Sequence, residues 1–146
     1  MNDFPVFSFK TFSTLVKDSF NNYATNVLRI KDDVTLNLTQ SWANFTQKGE
    51  FHHKHNHSNS FLSGVFYPGE NYPDGCGDLS FKNPGHMVMN YDWDEKQKKF
   101  NQYNSLAMNI QPQPGMCLLF PSYVSHYVHV NRNKDIDRLA ISFNIE

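Results

Sequence analysis

Between Thr11 and about Ile30, apolar residues recur every three or four positions. Phe12, Leu15, Val16, Phe20, Tyr23, Ala24, Val27 and Leu28 form one stripe. That period predicts an amphipathic helix with Thr11 or Ser13 as a hydroxyl N-cap, and its role is packing rather than chemistry. After Asp33 the period changes. Short β-prone runs predict strands near Val34–Phe45, Phe61–Tyr67, Asp78–Phe81, His86–Tyr91, Ser105–Ile110, Met116–Phe120, His126–Val130 and Leu139–Ile145. Gly69, Pro73-Asp74-Gly75, Asn83-Pro84-Gly85, Pro112–Gly115 and Asn131–Asp135 supply turn residues between them. Many short strands behind one packing helix point to a mainly β fold, a sandwich or jelly roll.

At 146 residues the chain reads as a single domain over residues 1–146, with the β core from about residue 34. Its 13 Phe, 7 Tyr and 2 Trp argue against disorder. A formal net charge of -1 leaves no global field to attract nucleic acid or an anionic membrane. The basic run Lys96-Gln97-Lys98-Lys99 reads as part of a solvated hairpin tip, Asp94–Lys99. Cys76 and Cys117 stand far apart with no CxxC, so two free thiols are expected. The N-terminus lacks a signal-peptide pattern, and no apolar run reaches the roughly 18 residues of a membrane span. A soluble, cytoplasmic protein with no membrane partner is expected. The numerous Asn residues are scattered and carry no site information.

Histidine is the residue type that changes this picture. His52, His53, His55 and His57 fall within six positions. On an extended backbone, residues i and i+2 face the same side, so His55 and His57 can reach one metal ion. A third imidazole is available from His126, which follows the apolar run Met116–Phe120. His126 and His129 are an odd number apart, so only one of them can face a barrel interior. Arg138 follows twelve residues after His126 and opens the apolar run Leu139–Phe143. A guanidinium there either forms a structural ion pair or holds an anion in a bidentate fork. Metal ligands at one end and a carboxylate clamp at the other suit 2-oxoglutarate. Its keto-acid end chelates metal, and its far carboxylate needs a cation.

The order and spacing of several segments resemble the small 2-oxoglutarate/Fe(II) oxygenases common in phage genomes. They are Ser41-Trp42-Ala43-Asn44, Gly49, His55–Tyr67, Gly77–Pro84, Phe120–Val128 and Arg138–Asn144, covering about Ser41 to Ile145. The resemblance implies a double-stranded β-helix, a cupin-like jelly roll, with the metal in its open end. It implies that His55 and His126 bind Fe(II) and that Arg138 pairs with the distal carboxylate of 2-oxoglutarate. Similarity to the prolyl-hydroxylase branch implies that the Tyr67 hydroxyl donates to the same carboxylate. If the chain is phage-encoded, the host cytoplasm is its compartment.

The chain departs from the wider family twice. His57 stands where the usual HxD motif has a carboxylate, and three imidazoles leave the metal more cationic. Either His57 replaces that ligand, or Asp74, Asp78, Glu50 or His53 completes the set. Ala140 stands where many relatives have a Ser that also touches the carboxylate, and the missing hydrogen bond is worth about 0.5–1.5 kcal/mol.

The expected activity is a dioxygenase that uses Fe(II), 2-oxoglutarate and O2, hydroxylates a substrate and releases succinate and CO2. Two alternatives stay open. One is a three-histidine zinc hydrolase or hydro-lyase. The other is a non-catalytic jelly-roll binding or virion module. Trp42, Tyr91, Trp93 and Tyr123 are candidates to line a substrate groove. The substrate, a small molecule or a peptide, is not readable, and the oligomeric state stays open, a homodimer included.

Overall fold

The computed structural model describes residues 9–85, 98–99, 101 and 104–146. Helix α1 (Phe9–Tyr23) continues into a π-helical turn (Ala24–Leu28), which Arg29 ends in the left-handed conformation at φ 53°. The helix is already under way at Phe9, so Thr11 and Ser13 lie inside it and neither is the N-cap. Eight strands follow among the described residues: β1 (Leu38–Thr46), β2 (His52–His55), β3 (Leu62–Phe66), β4 (Leu79–Lys82), β5 (Ala107–Ile110), β6 (Cys117–Pro121), β7 (His126–Val128) and β8 (Arg138–Ile145). The expected strand His86–Tyr91, Tyr91, Trp93 and most of Asp94–Lys99 lie outside the described residues.

The strands form two antiparallel four-stranded sheets, ordered β1-β8-β3-β6 and β2-β7-β4-β5. This is a jelly roll, one of the two architectures that the spacing of short strands allowed and the one that the resemblance implied. One core lies between the sheets and includes Val65, Tyr67, Leu79, Phe81, Phe120, Val128 and Ala140. A second core joins the outer face of the first sheet to α1, where Phe12, Val16 and Phe20 meet Leu62, Phe66, Phe143 and Ile145. The apolar stripe of α1 therefore covers one sheet, while the other face of that sheet is free to line a cavity. β3 lies between the two cores, and all five of its residues are buried.

Glycine is required at two points. A Cβ on Gly64 in β3 would stand 2.3 Å from the Phe143 ring and 2.8 Å from the Leu118 carbonyl oxygen. Gly77 has φ +99°, and a Cβ there would meet the His129 carbonyl oxygen at 2.6 Å. Cys76 and Cys117 are free thiols, and burial pushes the Cys117 thiol up to about 11. Among the described residues, no helix is long and apolar enough to cross a membrane.

Candidate active site

β2 was not among the expected strands. His52-His53-Lys54-His55 has little β-propensity of its own, and pairing with β7 makes it a strand. That pairing sets His55 directly opposite His126. Cross-strand neighbours on one face bring their side chains together, and the two ring centroids are 4.4 Å apart. His57 lies two residues past β2's last residue, and its backbone N–H donates to the Ser122 carbonyl at 3.0 Å. Ser122 is itself fixed by a buried network: its hydroxyl lies 2.8 Å from that of Ser63, which donates to Asn144 Oδ1 at 2.9 Å. The His57 ring centroid is 5.1 Å from that of His55 and 5.2 Å from that of His126.

Ligand nitrogens of His55, His57 and His126 lie within 4.8 Å of one another. Two of the rings have a defined tautomer. His55 Nδ1 is 2.7 Å from the His53 carbonyl, and His126 Nδ1 is 2.9 Å from the Val124 carbonyl. A carbonyl only accepts, so each Nδ1 carries the proton and each Nε2 keeps its lone pair. Burial, with the neighbouring histidines, pulls His126 down to about 4, and burial with His55 lowers His57. At neutral pH the His126 and His57 rings are therefore neutral donors able to bind a cation.

The other candidates stand apart from this cluster. Among the described residues no carboxylate joins it. Glu50 accepts from the Gln47 backbone, and Asp74 accepts from the Gln111 side chain. His53 is exposed against Phe51, and His129 is exposed beside Tyr127. Of His126 and His129, only His126 turns inward.

The same cavity reaches Arg138. It is narrow, about 60 Å³, and its walls include Trp42, His52, Tyr67, Phe120 and Ala140 besides the three histidines. That volume holds about four or five waters, the scale of a short dicarboxylate. Arg138 is 1% exposed. Its Nη1 donates to the Gly77 carbonyl at 3.4 Å and its Nη2 to Thr46 Oγ1 at 3.2 Å, while the buried Nε has no partner. Asn131 positions the segment leading to it, donating from Nδ2 to the carbonyls of Thr46 and Ile136. Tyr67 lies beside Arg138, and burial pushes its phenol up to about 12 against the pull of that charge. A buried guanidinium with an orphaned donor and no carboxylate partner among the described residues is suited to an anionic ligand. His52 shares this cavity, although no motif in the sequence marks it.

A family model described as "Putative 2OG-Fe(II) oxygenase" matches residues 40–144. The chain belongs to this family. The chain is also similar to solved structures that share its fold. One is an oxidoreductase of the 2OG-Fe(II) oxygenase family from Burkholderia pseudomallei, at 14% identity and TM-score 0.59, covering 88% of this chain and 57% of that one. A Pseudomonas putida prolyl-4-hydroxylase matches at 14% identity and TM-score 0.61, over 96% of this chain and 67% of that one. Iron-bound HygX from Streptomyces hygroscopicus matches at 14% identity and TM-score 0.60, over 98% and 69%. The chain thus spans little more than half of the Burkholderia protein and about two-thirds of the other two. A comparison with curated proteins found no match.

The family's cofactors are Fe(II), 2-oxoglutarate and O2, and the donor set fits them. Imidazole nitrogen is a good ligand for Fe(II), and the orphaned Arg138 Nε faces a need that a carboxylate meets.

Proposed function

We propose that this oxygenase is a dioxygenase that hydroxylates a small-molecule or peptide substrate and releases succinate and CO2. His55, His57 and His126 hold Fe(II), with Nε2 of His55 and His126 as donors. Arg138 pairs with the distal carboxylate of 2-oxoglutarate, and the Tyr67 hydroxyl donates to it. When bound, iron and 2-oxoglutarate supply the oxidising chemistry: one atom of O2 enters succinate and the other replaces a substrate C–H with C–OH.

The protein's own residues prepare the site. The carbonyls of His53 and Val124 hold two imidazoles in the tautomer a metal needs. The rings of Phe120 and Phe81, with centroids 4.8 and 6.0 Å from that of His126, keep water from its buried side. Trp42, with its centroid 6.0 Å from that of His57, stands at the more exposed side where a substrate can approach. Tyr67 stays protonated across the physiological range and so remains a donor.

The observation that carries this reading is the buried Arg138, its Nε without a partner, on the same narrow cavity as three clustered imidazoles. A hydrolytic zinc centre has no use for an anion clamp there. The test is succinate formation from 2-oxoglutarate under air by protein loaded with Fe(II) or with Zn(II). The proposal expects succinate with Fe(II) alone. Hydrolase activity with Zn(II), and no succinate with Fe(II), would instead support the zinc reading.

A further inference from the structure

β2 carries two imidazoles into one cavity although they are an odd number of residues apart. His52 and His55 both line it. The register explains how: His52 pairs with Val128 and His55 with His126, so three steps along β2 match two along β7. The extra residue is a β-bulge, which turns the second ring to the same side as the first.

The two rings serve opposite ends. His55 faces His126 at the metal end. His52 faces Val128, whose Cγ1 lies 3.6 Å from where a Gly77 Cβ would stand, and the Gly77 carbonyl receives the Arg138 guanidinium. His52 is therefore at the Arg138 end. Burial and then the Arg138 charge lower its pKa, which leaves a neutral ring with one N–H to give. Neither ring nitrogen is hydrogen-bonded to another described residue. Ala140, two residues past Arg138 on β8, lines the same cavity, 2% exposed and without a hydroxyl.

We propose that His52 is a third donor of the anion clamp. Its ring N–H binds the distal carboxylate of 2-oxoglutarate together with Arg138 and Tyr67, and it supplies the hydrogen bond that Ala140 does not. This rests on the 2-oxoglutarate reading of the site. It makes His52 a co-substrate-binding residue, distinct from the metal ligands three and five positions later.

The experiment is an anaerobic equilibrium titration of Fe(II)-loaded protein with 2-oxoglutarate and, separately, with pyruvate, which lacks the distal carboxylate. The proteins are the parent, His52→Phe, which keeps a ring without a donor, and His52→Gln, which keeps a donor. Iron stoichiometry and thermal midpoint are measured on each. His52→Phe is expected to bind 2-oxoglutarate about tenfold more weakly, with pyruvate affinity and iron content unchanged. His52→Gln is expected to recover to within about threefold of the parent. Equal binding by His52→Phe and parent overturns the inference and leaves the oxygenase reading standing. So does joint loss of iron and 2-oxoglutarate, which would mean that His52 acts on the metal site. A Gln variant as weak as Phe overturns the donor role. A parent that does not bind 2-oxoglutarate removes both readings.

Discussion

At the scale of single residues, His57 sets the electrostatics of the site. Three imidazole ligands bring a dication no compensating charge, and no carboxylate stands with them among the described residues. His57→Asp restores an anionic ligand and is expected to hold Fe(II) at least as tightly as the parent, with reach of the shorter side chain the limiting factor. His57→Ala is expected to lose it. Competition with a chelator measures both, and equal iron affinity in all three proteins would remove His57 from the ligand set. The sequence showed this residue plainly, because an HxH spacing is a local signal. His52 gave no such signal. Its side of the strand depends on a bulge, and a bulge is a property of two paired strands rather than of one.

At the scale of elements, the helix and most strands were legible because their apolar periods are strong. β2 was not, since its residues are polar and β7 makes it a strand. The scattered Asn residues concealed one structural member: Asn131, fully buried, ties the segment before β8 to Thr46 at the end of β1 and so places Arg138. β3 depends on a small residue at its centre. Gly64→Ala would press a methyl group into the Phe143 ring and the Leu118 backbone. An overpacked core of this kind costs about 1–3 kcal/mol. Urea unfolding should show that loss, with the slope of the transition unchanged. A variant as stable as the parent would mean that Phe143 moves aside freely.

At the scale of the whole molecule, the metal-free protein has a pH-dependent weakness. Burial holds His126 near 4 in the folded state, against an ordinary value of 6.5. Between those values the unfolded chain binds a proton there that the folded chain does not. The contribution is therefore full above about pH 6.5, is lost as pH falls toward 4, and levels off below that. His57 and His52, also lowered, act in the same direction. The thermal midpoint is expected to fall from pH 7 to pH 4.5, and to fall less in His126→Gln. Parallel curves for the two proteins would show that His126 is not the titrating group. In the proposed site the whole cavity works as one, a metal at one end and an anion clamp at the other. Its most direct test is anaerobic titration of Fe(II)-loaded parent and Arg138→Leu with 2-oxoglutarate, followed by the metal-to-ligand absorption band. Stranding a buried charge costs about 2–5 kcal/mol. The parent is expected to bind and the variant to bind at least about thirtyfold more weakly, with iron content unchanged. A parent that ignores 2-oxoglutarate would rule out the co-substrate site, and a variant that binds it equally well would remove Arg138 from the clamp.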